Sequence, residues 1–157
     1  MDKIIISKEI PKCASYDCIV AGGGVAGVAA AVSAARMGLK VLLLEKTISL
    51  GGLATIGLVN LFVPMCNGHG KQIIKGMAEE FLQLSIKYGF DTIPEVWKNG
   101  EPKEPTDIRY LSRFSAPVFT LALTELIKNE GVDILYDTVV CEPIMDGYTC
   151  RGLVVEN

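Results

Sequence analysis

The residues with the most distinctive spacing lie between positions 21 and 55. Ala21-Gly22-Gly23-Gly24-Val25-Ala26-Gly27 contains Gly22-x-Gly24-x-x-Gly27. In a strand–turn–helix context each glycine of that pattern has its own task. Gly22 allows a tight turn, Gly24 lets main chain approach a pyrophosphate with no Cβ in the way, and Gly27 lets the helix press on the sheet. A helix opening at Val25 and Ala26 would aim free N–H groups and a partial positive charge at the diphosphate. Glu45 stands 21 residues after Gly24, where a carboxylate accepts hydrogen bonds from a ribose diol. The same charge disfavours NADP, whose 2′-phosphate would meet a like charge. No Gly-Lys-Ser/Thr follows the glycines, so a Walker loop is excluded. NAD and FAD both remain open on these residues alone.

The flanking elements must hold this group in place. Tyr16–Ala21 is a short apolar run ending at glycines, the pattern of a strand buried on both faces. Val25–Met37 is alanine-rich and closes on Arg36 and Gly38, ordinary helix stop signals. Lys40–Glu45 reads as a second buried strand. Strand, helix and strand within about 30 residues make a βαβ unit with a parallel pair. Thr47–Gly70 reads as irregular loop. Helical period returns over Lys71–Tyr88, with Gly89 as its end. Asp91–Thr106 holds three prolines and Asn99-Gly100, the composition of a surface loop. A further helix is expected over Ala116–Asn129, with Ser115 as cap, Pro117 in the first turn and Gly131 as stop. Asp133–Val140 reads as a third strand, and Asp146-Gly147 as a hairpin turn. The next confident strand thus begins 88 positions after Glu45, so a large insertion interrupts the simple nucleotide-binding half.

Composition narrows the class. The chain has 157 residues, half of them hydrophobic and 21% charged, with mean hydropathy +0.36. That excludes intrinsic disorder and allows one domain, residues 1–157. A net charge of −3 argues against a nucleic-acid partner, which needs a basic stripe. The single histidine excludes any metal site needing two. The five cysteines form no Cys-x-x-Cys pair, so no zinc, iron–sulfur or disulfide framework is indicated. Ile4–Ile6 is far shorter than the roughly 7–15 apolar residues of a secretory signal. The uncharged stretches Cys18–Ala35 and Thr47–Gly70 are broken by glycines, which suit backbone lying against a ligand better than a membrane span. A cytoplasmic location is expected.

Other candidates have plainer readings. Cys66-Asn67-Gly68-His69 could bring a thiol or imidazole to the cofactor, but a loop histidine and a half-buried cysteine are the simpler account. Arg109 and Arg113 could clamp an anion if their segment were helical; a solvated face is the simpler account. Trp97 reads as a packing anchor.

The run YDCIVAGGGVAGVAAAVSAARMGLKVLLLEKTISLGGLATIGLV resembles the FAD-binding segment of FAD-dependent oxidoreductases related to the glutathione-reductase superfamily. It is most similar to the branch of fumarate-reductase-like and heterodisulfide-reductase-like flavoproteins. The resemblance implies an α/β fold: a Rossmann-like parallel sheet with an inserted helical and loop region and the start of a β-meander. It implies FAD as cofactor, held by Gly22, Gly23, Gly24, Val25, Ala26, Gly27, Glu45 and Lys46. Gly51, Gly52 and Thr55 would lie along the diphosphate and flavin, and Val140 would meet adenine through its backbone. The lead IIISKEIPKCASYD resembles the short segment that precedes this fold in the branch. Members continue for hundreds of residues with a substrate domain and a late Gly-Asp strand, so the chain is expected to be an incomplete domain, a fragment of a larger flavoprotein. Full-length relatives leave room for iron–sulfur clusters elsewhere. The expected function is the FAD-binding portion of an oxidoreductase acting on a small molecule. The alternatives are an NAD-binding dehydrogenase module, or a non-catalytic FAD-binding remnant or subunit that needs a partner chain or a second copy to complete it.

Overall fold

A computed structural model describes residues 7–157. The run Ile4–Ile6, weighed above against a secretory signal and as part of the lead, lies outside the described residues. The centre is a three-stranded parallel sheet in which β2 (Val41–Leu44) lies between β1 (Cys18–Ala21) and β5 (Asp133–Leu135). Cys18 pairs with Val41 and Ala21 with Leu44, while Leu42 faces Asp133 and Leu44 faces Leu135. Helix α1 (Val25–Arg36) connects the first two strands, and α3 (Ala116–Asn129) leads into β5. All four residues of β2 are buried, as its unbroken Val-Leu-Leu-Leu requires.

The expected double burial of β1 is not found: its residues alternate between half-buried and exposed. Helix α1 covers one face of β1, and among the described residues only one of its two edges is paired. The core therefore forms where the helices meet the sheet. Val28, Ala31 and Val32 of α1, Leu43, Leu50, and Phe119, Leu123 and Ile127 of α3 are fully enclosed with Phe81. Burying a side chain of that size contributes roughly 1.5–3 kcal/mol.

Beyond β1, the structure departs from the sequence reading in the inserted region and again after β5. The stretch 47–70 contains a 3₁₀ turn, Gly52–Ala54, and a short strand β3 (Leu61–Phe62) paired antiparallel with β4 (Ser112–Arg113). That pairing bridges about fifty residues and leaves no local periodicity to read. Helix α2 starts at Met77, not Lys71, and runs to Ile86. Gly76 at φ 70° breaks the chain before it, and Gln72 bridges to Cys66 instead of continuing a helix. The expected strand Asp133–Val140 splits: Asp137 adopts φ 51°, and the chain turns into a hairpin of β6 (Val139–Asp146) and β7 (Thr149–Glu156). The hairpin pairs Asp146 with Thr149, so its turn residues are Gly147 and Tyr148, one position beyond the expected pair.

A second small core gathers Met65, Cys66, Leu82, Ile93, Trp97 and Tyr110 beside the first. Trp97 stacks on Tyr110 with ring centroids 5.0 Å apart and donates its indole N–H to the Ile108 carbonyl. It is a packing anchor. The Cys66 thiol is buried there and accepts the Tyr110 N–H, so it too is structural. Arg109 and Arg113 do not share a helix: Arg113 lies in β4, and the Arg109 guanidinium packs against Gly68.

Candidate dinucleotide cradle

The turn from β1 into α1 is built by glycine for different reasons at each position. Gly22 has φ 108°, a backbone region that side chains rarely enter, and its N–H donates to the Leu44 carbonyl at 2.8 Å. Gly27, one turn into α1, lies so close to the Gly22 carbonyl oxygen that a Cβ would overlap it, with Val20 of β1 at 3.6 Å. The helix thus presses on the turn as well as on the strand. Gly23 falls at an unspecified position of the spacing pattern, yet it is buried. A Cβ there would meet Leu50 at 2.6 Å and the Glu45 carboxylate at 3.0 Å.

Gly24 is different. Its φ of −64° and ψ of 173° suit any residue, and a Cβ built on it would meet nothing within 4 Å. Neither strain nor crowding among the described residues calls for glycine there. It is the residue that caps α1, and Val28 is the first donor to its carbonyl. The N–H groups of Val25, Ala26 and Gly27 therefore have no acceptor inside the helix. Bare backbone, open space and N–H groups with no acceptor inside the helix, at the positive end of a 12-residue helix, fit a diphosphate.

The Gly51-Gly52 pair is brought to the same place. Gly51 N–H donates to the Gly23 carbonyl at 2.8 Å, and Gly51 bridges to Gly24 as a short parallel contact. A Cβ on Gly52 would stand 3.2 Å from the Gly24 Cα. Gly51 and Gly52 both have positive φ, and a Cβ on Gly51 would overlap Thr55. The buried Thr55 hydroxyl donates to the Leu50 carbonyl at 2.6 Å, closing this second turn onto the first.

Glu45 follows β2 directly and is 93% buried, 7% of its surface remaining exposed. One carboxylate oxygen, Oε2, accepts the Gly23 N–H at 2.6 Å. The other, Oε1, accepts the Thr47 N–H at 2.8 Å and the Thr47 hydroxyl at 2.7 Å. The Glu45 backbone is held as firmly: its N–H donates to Leu135 and its carbonyl accepts from Thr138. Burial pushes the carboxyl pKa up, but the hydrogen bonds from Thr47 and Gly23, with the nearby Lys46 charge, outweigh it. The net result is a pKa below the ordinary 4.5. The carboxylate is thus a pin that joins the end of β2 to the glycine turn. That role follows from Thr47 and Gly23, and the spacing pattern alone gives no sign of it. The hydroxyl residue two positions after the acidic one, Thr47, is the sequence signal that could have marked it.

Lys46 is exposed beside this site. Val140 lies farther along, in β6 opposite Val155 and just before a register shift at Cys141. It is tied to the site through Thr138, two residues earlier, whose N–H donates to the Glu45 carbonyl. Cys13, Cys18, Cys141 and Cys150 are unpaired, and no cluster of metal-ligating side chains occurs among the described residues.

A glycine turn at a helix start, a facing Gly-Gly turn and an acidic strand end define a dinucleotide-binding α/β protein of Rossmann type. The family is specific. Residues 17–157 match the model of the FAD dependent oxidoreductases, and the chain belongs to that family, whose cofactor is FAD. The thioredoxin reductase of Ureaplasma parvum serovar 3 is 32% identical over 81 residues, covering 52% of this chain and 26% of that protein. The NADH:fumarate oxidoreductase of Klebsiella pneumoniae is 26% identical over 170 residues, covering 91% of this chain and 18% of that protein. The chain therefore spans about a fifth to a quarter of the curated relatives it matches. Among solved structures, Thermovibrio ammonificans THI4 superposes with a TM-score of 0.57 at 20% identity, over 90% of this chain and 47% of that one. That likeness is one of fold. No helix among the described residues is long and apolar enough to cross a membrane.

Proposed function

We infer that this chain supplies the diphosphate and ribose contacts for FAD in an oxidoreductase of the fumarate-reductase-like and heterodisulfide-reductase-like branch. The observation that carries the reading is Gly24, a glycine that nothing among the described residues requires, set at the N-terminus of α1. Gly22, Gly23 and Gly27 shape that turn, and Val25 and Ala26 donate to the diphosphate. Gly51, Gly52 and Thr55 form the opposing wall, Glu45 meets the adenosine ribose beside Lys46, and the Val140 backbone meets adenine. FAD, when bound, supplies the transfer of hydride or electrons from a small-molecule substrate. Family membership and the similarity to NADH:fumarate oxidoreductase support this branch. Five free thiols accord with a cytoplasmic protein. The edge of β1 that is unpaired among the described residues and the two-stranded hairpin offer backbone to a completing segment, chain or second copy.

The test is chromatography of the small molecules released when protein purified without added cofactor is denatured. FAD in near-stoichiometric amount is the expected result. Release of NAD, or failure of the protein to take up FAD on titration, would overturn the reading.

A further inference from the structure

A carboxylate has about four acceptor positions, two on each oxygen. In Glu45 three are taken by this chain: the Thr47 N–H and hydroxyl on Oε1, and the Gly23 N–H on Oε2. The single hydroxyl proton of Thr47 also lies 3.0 Å from the Ser49 carbonyl. The carboxylate contact is shorter and charge-assisted, so it takes the proton. Oε1 is therefore saturated.

We propose that Thr47 is a positioning residue that occupies Oε1 and leaves Glu45 one acceptor position, on Oε2, so that the carboxylate takes a single hydroxyl of the adenosine ribose and not the diol. This rests on the reading that Glu45 meets the FAD ribose. Thr47 acts twice, with its N–H and its hydroxyl, and Ser49 N–H in turn reaches the Thr47 hydroxyl oxygen at 3.3 Å. The Thr47 carbonyl accepts from Asp137, which ties this arrangement to the chain leaving β5. Selectivity between the two ribose hydroxyls is thus set by residues that need not touch the sugar.

The experiment is titration of the full chain with FAD and with two analogues whose adenosine ribose lacks either the 2′- or the 3′-hydroxyl. Loss of one charge-assisted bond weakens affinity about 10- to 150-fold. In the wild type, one analogue is expected to bind that much more weakly than FAD, and the other within about twofold of it. Thr47→Ala removes the hydroxyl together with its bulk and frees a position on Oε1, and both analogues should then bind more weakly than FAD. Thr47→Ser keeps the hydroxyl and should restore the one-sided pattern. Equal weakening of both analogues in the wild type would overturn the inference while leaving the ribose contact standing. No weakening with either analogue, or no binding of FAD itself, would remove the ribose reading as well. If the alanine variant does not fold, equal weakening of both analogues in the wild type still overturns the inference.

Discussion

If Glu45 pins the glycine turn, its removal should weaken the protein before any cofactor is present. In Glu45→Ala three donors lose their acceptor. The Thr47 hydroxyl has a second acceptor in the Ser49 carbonyl, and its N–H belongs to a half-buried residue that water can reach. The Gly23 N–H is buried against Leu50 and Glu45. Orphaning it costs about 1–3 kcal/mol, and the Thr47 amide adds roughly 1 kcal/mol. Desolvation of the carboxylate is relieved at the same time, which moves the expected loss toward the lower part of about 2–4 kcal/mol. For a chain of this length each kcal/mol shifts the melting temperature by about 2–4 °C. Thermal unfolding of flavin-free protein, followed by circular dichroism, should therefore show a drop of roughly 5–15 °C. A change within about 1 °C would show that the carboxylate does not hold the turn, and would leave Gly23 unexplained.

The same carboxylate sets a pH dependence. Its folded pKa lies below the ordinary 4.5, so its stabilisation is full above that range and is lost as pH falls through the depressed value. The melting difference between wild type and Glu45→Gln, measured without flavin, should be largest near neutrality and shrink in acid; a constant difference would contradict this. The glycines should separate folding from binding. Gly24→Ala meets no neighbour and no strain, so flavin-free stability should move by no more than about 0.5 kcal/mol while FAD affinity measured by fluorescence titration falls at least about tenfold. Gly27→Ala collides with the Gly22 carbonyl and should destabilise the flavin-free protein by about 1–3 kcal/mol in urea. Finally, the Ser112 hydroxyl is wholly buried in β4 with no partner among the described residues. Ser112→Ala should be neutral or stabilising by up to about 1 kcal/mol, and a clear loss in chemical denaturation would point to a partner for that hydroxyl.

Much of the cradle was legible from residue order because its signals are local. The glycines, the alanine-rich helix ending at Arg36 and Gly38, and the helix bounded by Ser115 and Gly131 each carry their own start or stop chemistry. Helix α3 spans Ala116–Asn129 as expected, although the Ser115 side chain makes no cap bond and Pro117 does the bounding. What escaped is non-local. The β3–β4 pair depends on residues about fifty positions apart, and α2 loses its first expected turn to the Cys66–Gln72 bridge. Asp137 breaks an apolar run by entering a positive-φ conformation, where it donates its N–H to Thr47. Position 45 was recognisable as an acidic strand end; its inward grip on Gly23 was not, because it depends on the facing turn at Leu50–Gly52. That same turn explains why a third glycine stands between the two that the spacing names.

Amide NMR on isotopically labelled protein titrated with FAD addresses the diphosphate site most directly. Cofactor seated at the start of α1 requires the largest shifts at Gly22–Gly27 and Gly51–Thr55, with weaker ones near Thr138–Val140. Shifts gathered on the β6–β7 turn or on the Asp91–Thr106 loop, with the glycine amides unmoved, would contradict it.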